Sequence, residues 1–348
     1  MTVQDTSALP EPADATEDWR VYRGSGQRYD DIDRLPPPPR WRRFGDVPVI
    51  TPTFERSDPI AADRAAGYQI TDDAIEMVNA ALYLRRPLLV TGKPGTGKST
   101  LAYSIATELM LGPVLYWPIT SRSKLSDGLY RYDAIGRLQE SNLMRATDQP
   151  VDLLDVGRYV TLGPLGTALL PQRRPRVLLI DELDKSDIDL PNDLLNVFEE
   201  GAFEIPELAR LPMEQSVVEV TTADGDGRVP ITRGSVACCA FPMIVITSNA
   251  EREFSPAFLR RSLRLDIRPP DQRTLTKIVE SMLGEETAAR SSEIINHFLD
   301  RRERGDVVTT DQLLNAIFVV TSGSRPPEST RARLRANLIR DLSASGLR

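Results

Sequence analysis

The chain has 348 residues, 41% of them hydrophobic and 27% charged, which is enough for two domains or for one large domain with an appendage. Fifty acidic residues against 43 basic ones leave a formal charge of −7, and that balance argues against a dedicated DNA or RNA binder, which carries a basic excess. A single histidine, His297, and two adjacent cysteines, Cys238 and Cys239, supply neither a histidine-rich metal site nor a Ser-His-Asp triad nor a disulfide framework.

The cysteine pair reads as two small buried apolar residues, suited to a reducing compartment. The opening "MTVQDTSALPEPADATEDW" has no basic start and no apolar run, so no signal peptide is expected there. No apolar stretch approaches membrane-spanning length, and a cytoplasmic location with no membrane partner is expected. Residues 1–60 are rich in proline and acid, and "RLPPPPRW" predicts polyproline II, so this segment is expected to be a largely extended N-terminal arm. Trp19, Tyr22, Trp41 and Phe44 are costly to leave in water, which suggests that parts of the arm lie across the core or a neighbouring subunit.

Residues 61–268 read as α/β. "TDDAIEMVNAALYLR" predicts a helix with Thr71 as its cap and acids in its first turn. "PLLV" (87–90), "PVLYWPIT", "RVLLI" (176–180) and "FPMIVITS" predict short buried strands alternating with helices, hence a mostly parallel sheet covered on both faces. Residues 269–348 predict four helices and no strand, a small all-helical second domain. In the third of these helices Thr309 and Gln312 have capping-box spacing, and Leu313, Leu314, Ile317 and Phe318 are expected to form one apolar face.

Three segments carry chemistry. "GKPGTGKS" runs Gly92, Lys93, Pro94, Gly95, Thr96, Gly97, Lys98, Ser99, with Thr100 next, and matches G-x-x-x-x-G-K-[ST] between a predicted strand and a predicted helix. Glycines let backbone N–H groups curl around phosphate; Lys98 supplies a point charge, Ser99 a Mg²⁺ ligand, and the following helix its positive end. "RVLLIDELD" ends a buried strand in Asp181 and Glu182, with Asp184 shortly after. Asp181 is suited to hold Mg²⁺ through its water shell, and Glu182 to deprotonate an attacking water. "IVITSNAERE" ends another buried strand in Asn249, which beside Asp181 is within reach of a water or a γ-phosphate.

Together these residues resemble the AAA+ ATPases: "GKPGTGKS" looks like Walker A, "LLIDE" like Walker B, Asn249 like the sensor-1 residue, and the helices after 269 like the lid. The resemblance covers roughly residues 65–345 and implies a P-loop NTPase fold with ATP and Mg²⁺ as cofactors. An insertion over about 121–170 and a hairpin over about 215–240, around the Asp-Gly turn of "TTADGDGR", are similar to the helix-2-insert branch, which includes MoxR-like, McrB-like and midasin- or dynein-related ATPases. MoxR-like is the best label. No small-Pro-Arg start opens the third lid helix, so no sensor-2 arginine is assigned. "SNAER" has no Asp at the GTP-selective position, which shifts the base preference toward ATP.

The resemblance gives the pair Arg260 and Arg261, in "EFSPAFLRRSLRLD", a role. Arg261 fits the finger that reaches a neighbouring subunit's γ-phosphate, with Arg260 second, and this implies a homo-oligomeric ring, a hexamer by family likeness. Tyr130, Arg131 and Tyr132 either grip a threaded chain or pack on the domain. The favoured activity is ATP-driven remodelling of a partner protein, often a von Willebrand A-type one. A motor subunit of a defence complex with a separate effector, or a slow nucleotide switch, are the alternatives.

Overall fold

A computed structural model describes residues 19–321 apart from 46, 52–57, 66, 147–154 and 226, together with Thr330, Arg333, Leu338 and Ile339. Its elements run α1 Pro59–Ala65, α2 Asp72–Leu84, β1 Leu88–Thr91, α3 Lys98–Glu108, β2 Leu115–Pro118, α4 Leu125–Leu129, β3 Tyr130–Tyr132, α5 Ala134–Ala146, β4 Val160–Leu162 and α6 Pro164–Ala168. They continue with β5 Val177–Asp181, α7 Leu190–Glu200, β6 Ala202–Glu204, α8 Pro206–Ala209, β7 Val217–Thr221, β8 Arg228–Thr232, β9 Ser235–Ala237, β10 Met243–Ser248, α9 Pro256–Arg261 and β11 Leu263–Asp266. The chain then turns helical through α10 Gln272–Leu283, α11 Glu285–Arg290, α12 Ser292–Glu303 and α13 Thr310–Thr321.

The apolar runs form a parallel sheet in the order β11-β1-β10-β5-β2. β5 and β10 are its centre. Every residue from Val177 to Ile180 and from Met243 to Ser248 is buried, as expected for strands covered on both faces. Helices start where polar side chains can cap them. Thr71 Oγ1 accepts from the Ala74 N–H and Asp271 Oδ1 from the Thr274 N–H. The Thr309–Gln312 pair makes both bonds of its capping box, at 3.0 and 3.4 Å.

The segments flanking β5 in sequence build a second sheet, ordered β3-β4-β7-β8-β9-β6. β7 and β8 pair antiparallel from Val217↔Thr232 to Thr221↔Arg228. The hairpin expected as two strands has a third, β9, because Arg233 and Gly234 both take positive φ and turn the chain tightly. β4 meets β7 at Thr161↔Thr221, so the insertion and the hairpin form one layer.

Residues 19–45 lie on the core. Val21, Tyr22 and Ile32 are buried in the same apolar cluster as α2 and α3. Asn79 Oδ1 accepts the Val21 and Tyr22 N–H groups, and the Tyr22 hydroxyl pairs with Ser104 Oγ at 2.7 Å. The buried Glu108 carboxylate accepts N–H groups of Arg23, Gly24, Ser25 and Gly26. Phe44 stacks on Phe241 with centroids 4.9 Å apart. Trp41, expected to seek cover, is 76% exposed, and Arg42 beside it is buried, its guanidinium lying over both phenylalanine rings.

In the C-terminal helices Leu275, Val279, Ile294, Ile295, Phe298, Leu313 and Ile317 share a core. Phe318 does not join the expected apolar face of α13; Ala316 takes the inward position and Phe318 is 60% exposed. The fourth helix expected over 328–342 falls almost wholly outside the described residues. No helix of the described residues is long and apolar enough to cross a membrane.

Candidate functional site

The carboxyl ends of β1, β5 and β10 lie side by side, the edge at which open parallel sheets bind ligands. β1 delivers the loop Gly92–Gly97, and α3 begins at Lys98. Gly95 has φ 74°, and a Cβ there would stand 2.5 Å from Thr309 Cβ, so a bare backbone is what lets the loop sit against the start of α13. Lys98 is 7% exposed and donates to Gly92 O at 2.8 Å, Lys93 O at 3.0 Å and Asn249 Oδ1 at 2.8 Å. Burial pulls its ammonium below the usual lysine range, and Asp184, Asp181 and Glu182 oppose that shift.

Ser99 Oγ donates to Asp181 Oδ1 at 2.7 Å. The same oxygen accepts from Thr247 Oγ1 at 2.7 Å, and Tyr116 donates to Asp181 Oδ2 at 3.3 Å. A hydroxyl beside a carboxylate is a hard-oxygen pair that suits Mg²⁺, which keeps most of its water and takes few protein ligands. Among the described residues no cluster of three or more His, Cys, Asp or Glu offers a metal cage.

Glu182 follows with φ 61° and ψ 48°, a left-handed conformation that costs a non-glycine residue about 1–2 kcal/mol. Its N–H is held by Thr247 Oγ1 at 2.8 Å. Lys185 Nζ donates to Glu182 Oε2 at 2.7 Å, and that bond raises the lysine above its ordinary range. Asn249 Nδ2 approaches Glu182 Oε1 at 3.4 Å. Asn249 therefore touches Lys98 with one end of its amide and Glu182 with the other, and the three separate motifs meet in one network.

Thr100 opens onto a cleft of about 470 Å³ between the core and the C-terminal helices, floored by Tyr68, Pro270, Ile278 and Leu314. Lys93, Pro94 and Gly95 are exposed at the loop tip, and Thr96 Oγ1 donates to Lys93 O.

Arg260 and Arg261 stand elsewhere. α9 feeds β11 at Leu263, which pairs with Leu88 at the start of β1, whereas the Gly92–Gly97 loop leaves β1 beyond Thr91. With a rise of ~3.3 Å per residue, the arginines sit ~13 Å or more from the loop along the strand direction, at the other edge of the sheet. Both are exposed. Arg261 Nε donates to Glu199 at 2.9 Å, and Glu199 also lies 3.7 Å from the buried Arg42. The Arg260 carbonyl accepts from Arg86 at 3.0 Å.

The tyrosines of the insertion are partnered within the chain. Tyr130 stacks on Phe203 and donates to Glu207, and Tyr132 accepts from Arg137. Packing accounts for both, and Arg131 alone is exposed. Cys238 is buried, its thiol pushed up to about 12, and Cys239 is half-buried against Val47 O. Thr247, Asp184 and Lys185 were given no role from the motifs: Thr247 and Asp184 act on partners distant in sequence, and Lys185 pairs with Glu182 three residues back; the one signal was the charged run "DELDK" after a buried strand.

A profile of the AAA domain (dynein-related subfamily) matches residues 87–262, half of the chain. The chaperone protein ClpB of Chlamydia caviae is 24% identical over 184 residues, covering 51% of this chain and 19% of that protein, so the chain spans about a fifth of its curated relative. Among solved structures, domain III of the replication initiation protein DnaA from Thermotoga maritima is similar at 17% identity and TM-score 0.41, covering 83% of this chain and 100% of that one.

Proposed function

We propose a function from one premise: the chain belongs to the AAA domain family, dynein-related subfamily. On our reading it binds ATP with Mg²⁺ and hydrolyses it, as a MoxR-like member that assembles into a ring, a hexamer by family likeness, and remodels a partner protein such as a von Willebrand A-type one. The observation that carries the hydrolytic part is the junction at Asn249, which joins Lys98 at 2.8 Å to Glu182 at 3.4 Å beside the Ser99–Asp181 pair.

The backbone of Gly92–Gly97 and the Lys98 ammonium would receive the β- and γ-phosphates. Ser99 and, through water, Asp181 would hold Mg²⁺, whose charge neutralises the phosphate oxygens when bound. Glu182 would accept a proton from the water as its oxygen bonds to the γ-phosphorus. The bond from that phosphorus to the β–γ bridging oxygen breaks, and ADP and inorganic phosphate leave. Asn249 would orient that water. The cleft floored by Tyr68, Pro270 and Leu314 suits a purine base. Arg261, at the far edge of its own sheet, would act on a neighbour's γ-phosphate.

The test is ATP hydrolysis per subunit as protein concentration rises, with Mg²⁺ and with EDTA, alongside the mass of the species present. A steep Mg²⁺-dependent rise is expected. Hydrolysis by a species that stays monomeric throughout would overturn the ring, and none at any concentration would overturn the enzyme acting alone.

A further inference from the structure

We infer that Asp184 is a positioning residue: its carboxylate clamps the turn that presents Asn249 to Lys98 and Glu182. The inference rests on the hydrolytic reading above for its kinetic consequence, though the clamp itself stands on geometry.

Asp184 lies in the tight turn Leu183–Lys185 that follows β5, and it is 5% exposed. Its Oδ2 accepts the Asn249 N–H at 2.9 Å and the Glu251 N–H at 3.1 Å. The residue between them, Ala250, has φ 58°, a left-handed conformation that a side chain with a Cβ resists. Its own N–H is taken by Ser248 Oγ at 3.0 Å. Three consecutive amides, those of Asn249, Ala250 and Glu251, are thus each held by a side-chain oxygen, two of them by the same carboxylate. Successive N–H groups around a left-handed residue form a concavity that favours an anion, and here the chain supplies that anion itself.

Two observations separate this role from a catalytic or a merely cohesive one. Glu182 is 41% exposed beside the phosphate loop, whereas Asp184 is shielded, so Asp184 is no competitor for the attacking water. Among the described residues Asp184 Oδ1 is buried with no hydrogen-bond partner, so the two amides supply the hydrogen bonds that set the carboxylate's direction. A buried charge kept with one idle oxygen makes sense where the other oxygen has a placement to enforce. What it enforces is the exit of β10. Without the clamp, Ala250 relaxes, and Asn249 leaves the line between Lys98 and Glu182.

The test uses the full chain with Asp184→Asn, which is nearly isosteric, and Asp184→Ala. Amide hydrogen exchange over residues 247–252 reads the clamp directly. Both variants are expected to lose protection at Asn249 and Glu251, alanine more than asparagine. With ATP as substrate, kcat is expected to fall about tenfold in Asp184→Asn and about a hundredfold in Asp184→Ala, the cost of a misplaced group, while KM changes less than kcat because Lys98 keeps its bonds to Gly92 O and Lys93 O. Adding Ala250→Gly to Asp184→Asn removes the strain the clamp opposes and is expected to recover part of kcat. Wild-type protection in both variants would overturn the clamp. So would a loss of kcat without any loss of protection, since that pattern assigns Asp184 a direct chemical role. Should the wild-type chain hydrolyse nothing, the hydrolytic reading fails, and hydrogen exchange still decides the clamp.

Discussion

The two edges of the parallel sheet are built on opposite plans. At the carboxyl edge, Lys98, Ser99, Asp181, Thr247 and Asn249 spend their hydrogen bonds on one another across three strands, and Lys98 and Thr247 are buried. At the amino edge, Arg261 is 43% exposed and its carboxylate partner, Glu199, is 47% exposed and shared with Arg42. Burial preorganises the first group and makes its loss expensive. An exposed pair of the second kind contributes only about 0–1 kcal/mol, so Arg261 can leave it at almost no cost. On the proposed reading, a group that works inside its own chain is best held rigidly, whereas one that serves a neighbour has to be released.

That contrast can be broken by mutation. Lys98→Ala is expected to have the largest effect, loss of measurable binding of a non-hydrolysable ATP analogue by calorimetry, because it removes the charge at the centre of the buried network. Arg261→Ala comes next. It is expected to cost about 10³–10⁵ in hydrolysis while leaving analogue binding intact. Mixing Arg261→Ala subunits with Lys98→Ala subunits should then recover activity, since each intact site can face an intact finger; mixtures as inactive as the separate variants would weigh against action in trans. Glu182→Gln is expected to lower turnover by about 10²–10⁴ with binding retained and assembled species accumulating, visible by light scattering.

Smaller effects sharpen the comparison. Glu199→Gln frees Arg261 from its exposed pair and should lower the protein concentration for half-maximal hydrolysis by no more than about fivefold, the worth of such a pair; a raised midpoint would mean that the pair holds Arg261 in its working position. Tyr22→Phe lies away from both edges. It leaves Ser104 without its buried partner and should cost about 1 kcal/mol in urea unfolding with little change in hydrolysis, which would identify residues 19–45 as structural support for α3. A loss of hydrolysis larger than the loss of stability would instead couple this segment to the phosphate loop at the other end of α3.

What could be read along the chain was whatever depends on near neighbours in sequence. The glycine spacing of "GKPGTGKS", the apolar runs of β1, β5 and β10, the Thr71 cap and the Thr309–Gln312 box are local patterns, and each is where it was expected. β11 was hidden because its four residues alternate Leu and charge at a sheet edge, without the solid apolar run of a central strand.

Whatever depends on a distant partner was decided only in three dimensions. Trp41 stays exposed and Arg42 beside it is buried because Phe44, Phe241 and the carbonyls of Arg85 and Phe198 make a site for a guanidinium and none for an indole. Phe318 faces outward because Ala316 is what fits against α10 and α12. The insertion and the hairpin carry no mutual signal, yet β4 and β7 meet at Thr161 and Thr221 to make one sheet. The sequence by itself determined which side chains stand at the fixed spacing that nucleotide chemistry demands. The tertiary structure alone decided how they cooperate: the register of β1, β10 and β5 brings Lys98, Glu182 and Asn249 together, and the same register carries Arg261 to the opposite edge, beyond reach of its own site.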